Sequence, residues 1–196
     1  MFEQFRNKFP LDEEHRQAYT GLFKRIEVPA RTILLKEGEI SKKMFLIEKG
    51  CIRVWFNNQG REITLQFFFE NDMVSSIESF RKKFPSPLFI ETIEPAVLWW
   101  IHKKDFDRIV DEISEEKVLR DQLINALFER TFGHMQHFFS FMKDSPAQRY
   151  QHLMKEKPAM LQRIPQHYIA SYLGIRAVHL SRIKNSGTKK KKKTSI

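Results

Sequence analysis

The chain has 196 residues, 34 of them Lys or Arg and 24 Asp or Glu, giving a formal net charge of +10. Residues 1–144 carry 22 basic and 23 acidic side chains and residues 145–196 carry 12 and 1, so a near-neutral body precedes a segment suited to an anionic partner. Eight prolines and seven glycines exclude collagen-like and low-complexity chains, 13% aromatics argue against global disorder, and the lone Cys51 excludes an intramolecular disulfide or a four-cysteine metal site.

The N-terminal stretch MFEQFRNKFP lacks the apolar run of a secretory signal, and no segment reaches the ~20 apolar residues of a membrane span. A cytoplasmic protein without a membrane partner is expected. Residues 2–24 place Phe2, Phe5, Phe9, Leu11, Tyr19, Leu22 and Phe23 among charged neighbours, and Asp12 with Glu13 and Glu14 marks a helix start. From Arg25 to Ile101 the texture is that of short strands: RIEV, TILL, MFLIE, CIRVWF, EITLQFFF, LFIETI and VLWWI, separated by glycine-, asparagine- and proline-containing turns. Such spacing predicts a sandwich or roll, with CIRVWF-NNQG-REITLQFFF as a hairpin turning at Gly60.

Residues 103–142 contain no proline and one glycine, and are predicted helical. Ile124, Phe128, Thr131, Met135, Phe138 and Met142 recur in steps of four and three, a heptad-like seam, with Leu123, Leu127 and Phe141 beside it. One face is expected on the β domain and the other on a second copy of the same helix, making a homodimer. His134 and His137, i and i+3 on this helix, suit either a metal or, more commonly, a face toward solvent or the dimer partner. Ser145-Pro146 reads as a helix N-cap followed by proline at the first position, and that helix should end near Lys157-Pro158.

PQHYIASYLGIRAVHLSRIK then reads as two short helices about a tight turn at Gly174. Ile169, Ala170 and Leu173 would form the inner face of the first helix, and Leu180 and Ile183 that of the second. The outer face shows Arg176, His179, Ser181, Arg182 and Lys184, with no acid after Glu156. A cationic helix of this size suits the DNA major groove, where arginine bonds guanine O6 and N7. Five consecutive lysines, Lys189 to Lys193, follow as a non-specific attraction to phosphate.

In its order of elements, over roughly residues 20–184, the chain resembles the CRP/FNR superfamily of bacterial transcription regulators, in the form common in Bacteroidetes. IASYLGI…HLSRIK resembles that family's helix-turn-helix, and Gly38, Gly50 and Gly60 stand at its turn glycines. The resemblance implies an α+β fold: an N-terminal cyclic-nucleotide-binding-like β-roll (double-stranded β-helix or jelly roll) with flanking helices over 1–116, and a dimerisation helix over 117–143. A helix-turn-helix DNA-binding domain over 144–188 and a disordered basic tail over 189–196 complete it. It also implies that Arg182 reads a guanine. Gln166, Arg176, Ala177, Val178, His179, Ser181 and Lys184 complete the expected DNA-binding set. Ala177 and Val178 replace residues that help relatives choose bases, so the operator is not carried over. The implied partners are a pseudo-palindromic duplex, a second copy of the chain and, for an activator, RNA polymerase.

Relatives that bind cyclic AMP use a Phe-Gly-Glu-Leu stretch and a Pro-Arg-Ala-Ala-Thr stretch. Here these read Val74-Ser75-Ser76-Ile77 and Pro85-Ser86-Pro87-Leu88-Phe89, which lack the charged phosphate clamp. Cyclic AMP in the familiar mode is therefore not expected. Ser75, Ser76, Glu78, Ser86 and Phe89, with Arg81, Lys82 and Lys83 nearby, are candidates for a pocket holding another, unidentified effector; the alternative is a solvated loop. No cofactor or metal is assigned. An enzyme is not expected: His102 is the one histidine between Gly21 and Asp121, too few for a cupin metal site, and no nucleotide-binding or hydrolase motif occurs. The competing reading is a ligand-binding regulatory module that acts through protein or membrane contacts without specific DNA binding.

Overall fold

The computed structural model describes residues 13–193, and side chains over 15 and 17–185. The positions Phe2, Phe5, Phe9, Leu11 and Asp12, and residues 194–196, lie outside the described residues. The chain forms two compact units, one comprising residues 1–56 and 66–131, the other residues 57–65 and 132–196.

Helix α1 (Glu13–Thr20) stands at the acidic start expected there. Among the described residues, eight strands follow: β1 (Lys24–Val28), β2 (Ile33–Leu35), β3 (Lys43–Lys49), β4 (Ile52–Asn58), β5 (Arg61–Phe68), β6 (Met73–Val74), β7 (Phe89–Thr92) and β8 (Ala96–His102). They build two four-stranded sheets, ordered β1-β8-β3-β6 and β2-β7-β4-β5. The described pairs are antiparallel, with Ile26 opposite Leu98 and Val54 opposite Ile90. Alternate residues point inward, so Phe45, Ile47, Ile52, Val54, Ile90 and Leu98 meet in one apolar core. A second cluster joins Tyr19, Met44, Ile101 and Ile109 to Phe80 of α2 (Ile77–Lys82). The helix α3 (Lys103–Glu115) supplies Ile109, and its partly buried Phe106 meets Phe80 edge to face.

The helical region divides at Glu116, where α3 ends in extended backbone and α4 (Lys117–Lys143) begins. In the second unit, α5 (Pro146–Glu156) starts with the expected cap. Ser145 Oγ accepts from the Gln148 amide, and the Gln148 side chain accepts from the Ser145 amide. Helices α6 (Pro158–Arg163), α7 (Gln166–Tyr172) and α8 (Ala177–Lys193) follow. Tyr150, Leu153, Met160, Ile164, Ile169, Leu173 and Leu180 are buried there. Helix α8 runs to Lys193; lysine is a fair helix former and no proline interrupts.

Gly50 turns the chain between β3 and β4 at φ +108°, and a Cβ there would lie 2.8 Å from Ala96 Cβ. A side chain is thus opposed both by the backbone angle and by a neighbouring strand that cannot swing aside. Gly50→Ala is expected to destabilise the chain by about 1–3 kcal/mol, read as a lower urea midpoint with unchanged slope.

Candidate nucleic-acid interface

The α7–α8 pair is held by small and apolar contacts on its inner side. Ile169, Ala170, Leu173 and Leu180 are each at most 2% exposed, and Ile183 is half-buried. Ala170 lets the two helices approach closely, and its carbonyl accepts from the Ile175 amide across the turn at 3.0 Å. Gly174 makes that turn at φ +70°, the left-handed region that a residue with a Cβ enters at a cost. Packing the inner side fixes what the outer side shows. Arg176, Ala177, Val178, His179, Ser181 and Arg182 are exposed along the start of α8, and Lys184 is half-buried. Gln166 is exposed at the start of α7. Each of the expected DNA-binding residues is therefore exposed, apart from the partial cover of Lys184.

Two features of this unit have no local signature in the sequence. Ser171 Oγ donates to the Glu62 carbonyl at 2.8 Å and accepts from the Thr64 amide at 2.9 Å. One hydroxyl thereby stands in for a neighbouring strand along β5, which is an edge of its sheet. His137, expected to face solvent or a dimer partner, is half-buried against α7. Its ring stacks on Tyr172 with centroids 4.6 Å apart and planes 10° apart, and Tyr172 Oη lies 3.3 Å from its Nδ1. The reason is placement: one turn before Phe141, the half-buried ring faces the end of α7. Burial is the main cause that lowers its pKa to about 4, helped by Lys157, His134 and Arg149. The Tyr172 hydroxyl is pushed up to about 12, chiefly by burial and then by Glu156.

Helix α4 leaves its seam in water. Ile124, Phe128, Met135, Phe138 and Met142 are 42–66% exposed, and Thr131 donates its hydroxyl to the Leu127 carbonyl. Phe132 and Phe139, which the seam did not include, are 50% and 53% exposed beside it. Of the second line, Leu123 is half-buried, while Leu127 and Phe141 are exposed. Near the start of the helix Leu119 is buried, and Arg130 donates to the Met73 carbonyl at 3.0 Å with its guanidinium 5.2 Å from the Phe68 ring.

The candidate effector segment is neither an open loop nor a charged cleft. Ser75, Ser76 and Ser86 are buried, and their hydroxyls are engaged by near neighbours. Ser75 bonds Ser41 Oγ at 2.9 Å and the Lys43 carbonyl at 3.0 Å. Ser86 donates to Ser76 at 2.8 Å and accepts from the Leu88 amide. Between them Ser79, on α2, donates to the Phe84 carbonyl and accepts from the Ser41 amide. Glu78 lies outside this network, exposed and paired with Lys82, and Arg81 and Lys83 are exposed. Phe89 faces another way, stacked on Trp55 at 4.1 Å; Arg53 is fully buried beside Trp55, 3.3 Å from Glu91. Alternation along β4 gives no sign that an arginine on its outer side is covered.

Among the described residues, no group of three or more His, Cys, Asp or Glu could hold a metal ion, and no helix is long and apolar enough to cross a membrane. One consequence of the His137 environment is measurable. Its folded pKa lies below the ordinary 6.5, so the unfolded chain takes up the proton first as pH falls. The stability it contributes is complete above about pH 6.5 and is lost as pH falls toward 4. His137→Gln is expected to reduce the loss of stability between pH 7 and pH 4.5 by about 1–2 kcal/mol, a figure discounted for the half-exposed ring. Urea titrations of both proteins at the two pH values check it.

The family model for the cyclic nucleotide-binding domain matches residues 25–112. No curated protein sequence matches the chain. Among solved structures, the c-di-GMP responsive global regulator CLP of Xanthomonas campestris is similar with a TM-score of 0.72 at 14% identity, covering 91% of this chain and 93% of that one. A CooA variant from Carboxydothermus hydrogenoformans gives 0.70 at 16%, covering 96% and 84%. A protein from Eubacterium rectale assigned to the CRP/FNR family of transcriptional regulators gives 0.69 at 20%, covering 94% and 88%. At these identities the likeness is one of fold, and it extends over both units of the chain. Residues 25–112 thus match the cyclic nucleotide-binding domain family, within a chain whose fold is like that of solved CRP/FNR-type regulators.

Proposed function

We propose that the chain is a dimeric, sequence-specific DNA-binding regulator of transcription. The observation that carries this reading is the α7–α8 pair, whose buried Ile169, Ala170, Leu173 and Leu180 leave Arg176, His179, Ser181 and Arg182 exposed at the start of α8. In this reading α7–α8 is a helix-turn-helix, and α8 enters the major groove with Arg182 bonding a guanine edge. Two copies joined along α4 present two such helices about one DNA turn (~34 Å) apart to a pseudo-palindromic site. The open line of phenylalanines and methionines on α4 supports the dimer, because apolar patches this continuous are rarely left in water.

The roll is read as a sensor without the familiar cyclic nucleotide clamp. Ser75, Ser76 and Ser86 are buried and bonded, and none can supply the charge-assisted contact that a phosphate needs when it leaves water. An effector of other chemistry, bound in the roll, would act by shifting how the dimer sets the spacing of its DNA-binding units.

Selection from random duplex DNA tests this reading, with the expected outcome being enrichment of a two-fold symmetric sequence. Arg182→Ala should weaken binding to the selected site by about 1–3 kcal/mol, roughly 5- to 150-fold, and relax the preference at one position of each half-site. Failure to enrich any sequence, or equal binding by the variant, counts against it. Removing residues 189–196 should weaken binding to all sequences alike, making the slope of log K against log salt shallower by about 0.9 for each phosphate no longer neutralised. Isothermal competition at three salt concentrations measures that slope.

A further inference from the structure

The C-terminal end of α4 is tied to the α7–α8 turn by one side chain. Arg149, on α5, donates from one terminal nitrogen to the Asp144 carbonyl at 2.6 Å and from the other to the Leu173 carbonyl at 2.9 Å. Both acceptors lie just past a helix C-terminus, α4 in one case and α7 in the other, where carbonyls lack partners within their own helix. The same guanidinium lies 4.5 Å from the centre of the Phe141 ring. Phe141 in turn borders Gly174, where an added Cβ would sit 3.0 Å from its Cε1. The end of α4 and the turn that launches α8 are therefore linked through a single planar cation.

Apolar packing alone does not hold these elements together. A cavity of about 440 Å³ lies here, lined among others by Gly133, His137, Asp144, Arg149 and Tyr172. Across a space of this size, the angle between α4 and the α7–α8 pair depends on directed contacts rather than on close-packed side chains. Arginine suits this better than lysine, because a rigid fork reaches two carbonyls at once while its face stacks on an aromatic ring.

We propose that Arg149 is a positioning residue that fixes the angle at which α8 is presented, and so sets which half-site spacing the dimer accepts. This rests on the reading of α8 as a DNA-binding helix in a dimer. Successive base pairs differ by about 3.4 Å in position along the duplex, so a small change of this angle is enough to favour a different spacer.

The test uses the full-length chain on duplexes carrying the selected half-sites with the selected spacer, with spacers one and two base pairs longer or shorter, and on a duplex with one half-site. Wild type should prefer the selected spacer over the two-base-pair changes by about tenfold or more. Arg149→Gln should flatten that preference to within about threefold while leaving single half-site affinity within about twofold. Arg149→Lys should lie between the two. An unchanged spacer preference in Arg149→Gln overturns the proposal, as does a uniform loss on every duplex including the single half-site. If Arg149→Gln does not fold by near-ultraviolet circular dichroism, Arg149→Lys decides by the same criteria. A wild-type chain with no preference for paired sites overturns the DNA-binding reading itself, and this proposal with it.

Discussion

Helix α4 carries a continuous line of large apolar side chains in water, and the organisation of the chain follows from that constraint. Phe128, Phe132, Met135, Phe138, Phe139 and Met142 all stand about half or more exposed. Full burial of side chains of this kind is worth about 1.5–3 kcal/mol each, which is the driving force for the second helix in the proposed dimer. Other positions of the helix are already engaged, through Leu119 and Arg130 in the first unit and through His137 in the second. On the proposed dimer reading, the exposed line is the face left for a second protomer.

The same logic explains the division of charge along the chain. The body of 144 residues is almost neutral and closes many of its polar groups internally, as with the serines near α2 and the pair Arg53–Glu91. The excess of cations lies in residues 145–196, seven of them on α8, and Arg176 and Arg182 face solvent. Attraction to phosphate is then a property of one end of the sequence, and it does not compete with the acidic residues of α3 or the roll.

Much of the architecture was legible in the sequence because it is written in local periods. Strands β1 to β5, β7 and β8 follow from alternation and turn residues, α4 from its spacing of three and four, and α7–α8 from Ala170, Gly174 and the flanking apolar positions. The two-residue strand β6 is too short to announce itself. What escaped reading depends on residues distant in the chain. Ser41 and Ser75 meet across 34 positions, so the replaced phosphate cassette could not be seen to close on itself. Ser171 reaches Glu62 across 109 positions, and Tyr172 reaches His137 across 35. Arg53 looks like an outward, solvated position on a strand, yet its cross-strand neighbour Glu91 and the Trp55–Phe89 stack lie beside it.

The exposed start of α8 has a consequence for how such a protein diverges. Ala177, Val178, His179 and Ser181 lie on the surface, whereas Gly174 is held by its backbone angle and by the edge of Phe141. Substitutions at the former cost little stability, typically within about 0.5 kcal/mol, while the latter tolerates almost none. On the proposed DNA-binding reading, copies of the gene can therefore acquire new target sequences without first acquiring compensating changes in the core. The fold separates the residues free to vary from those that must stay.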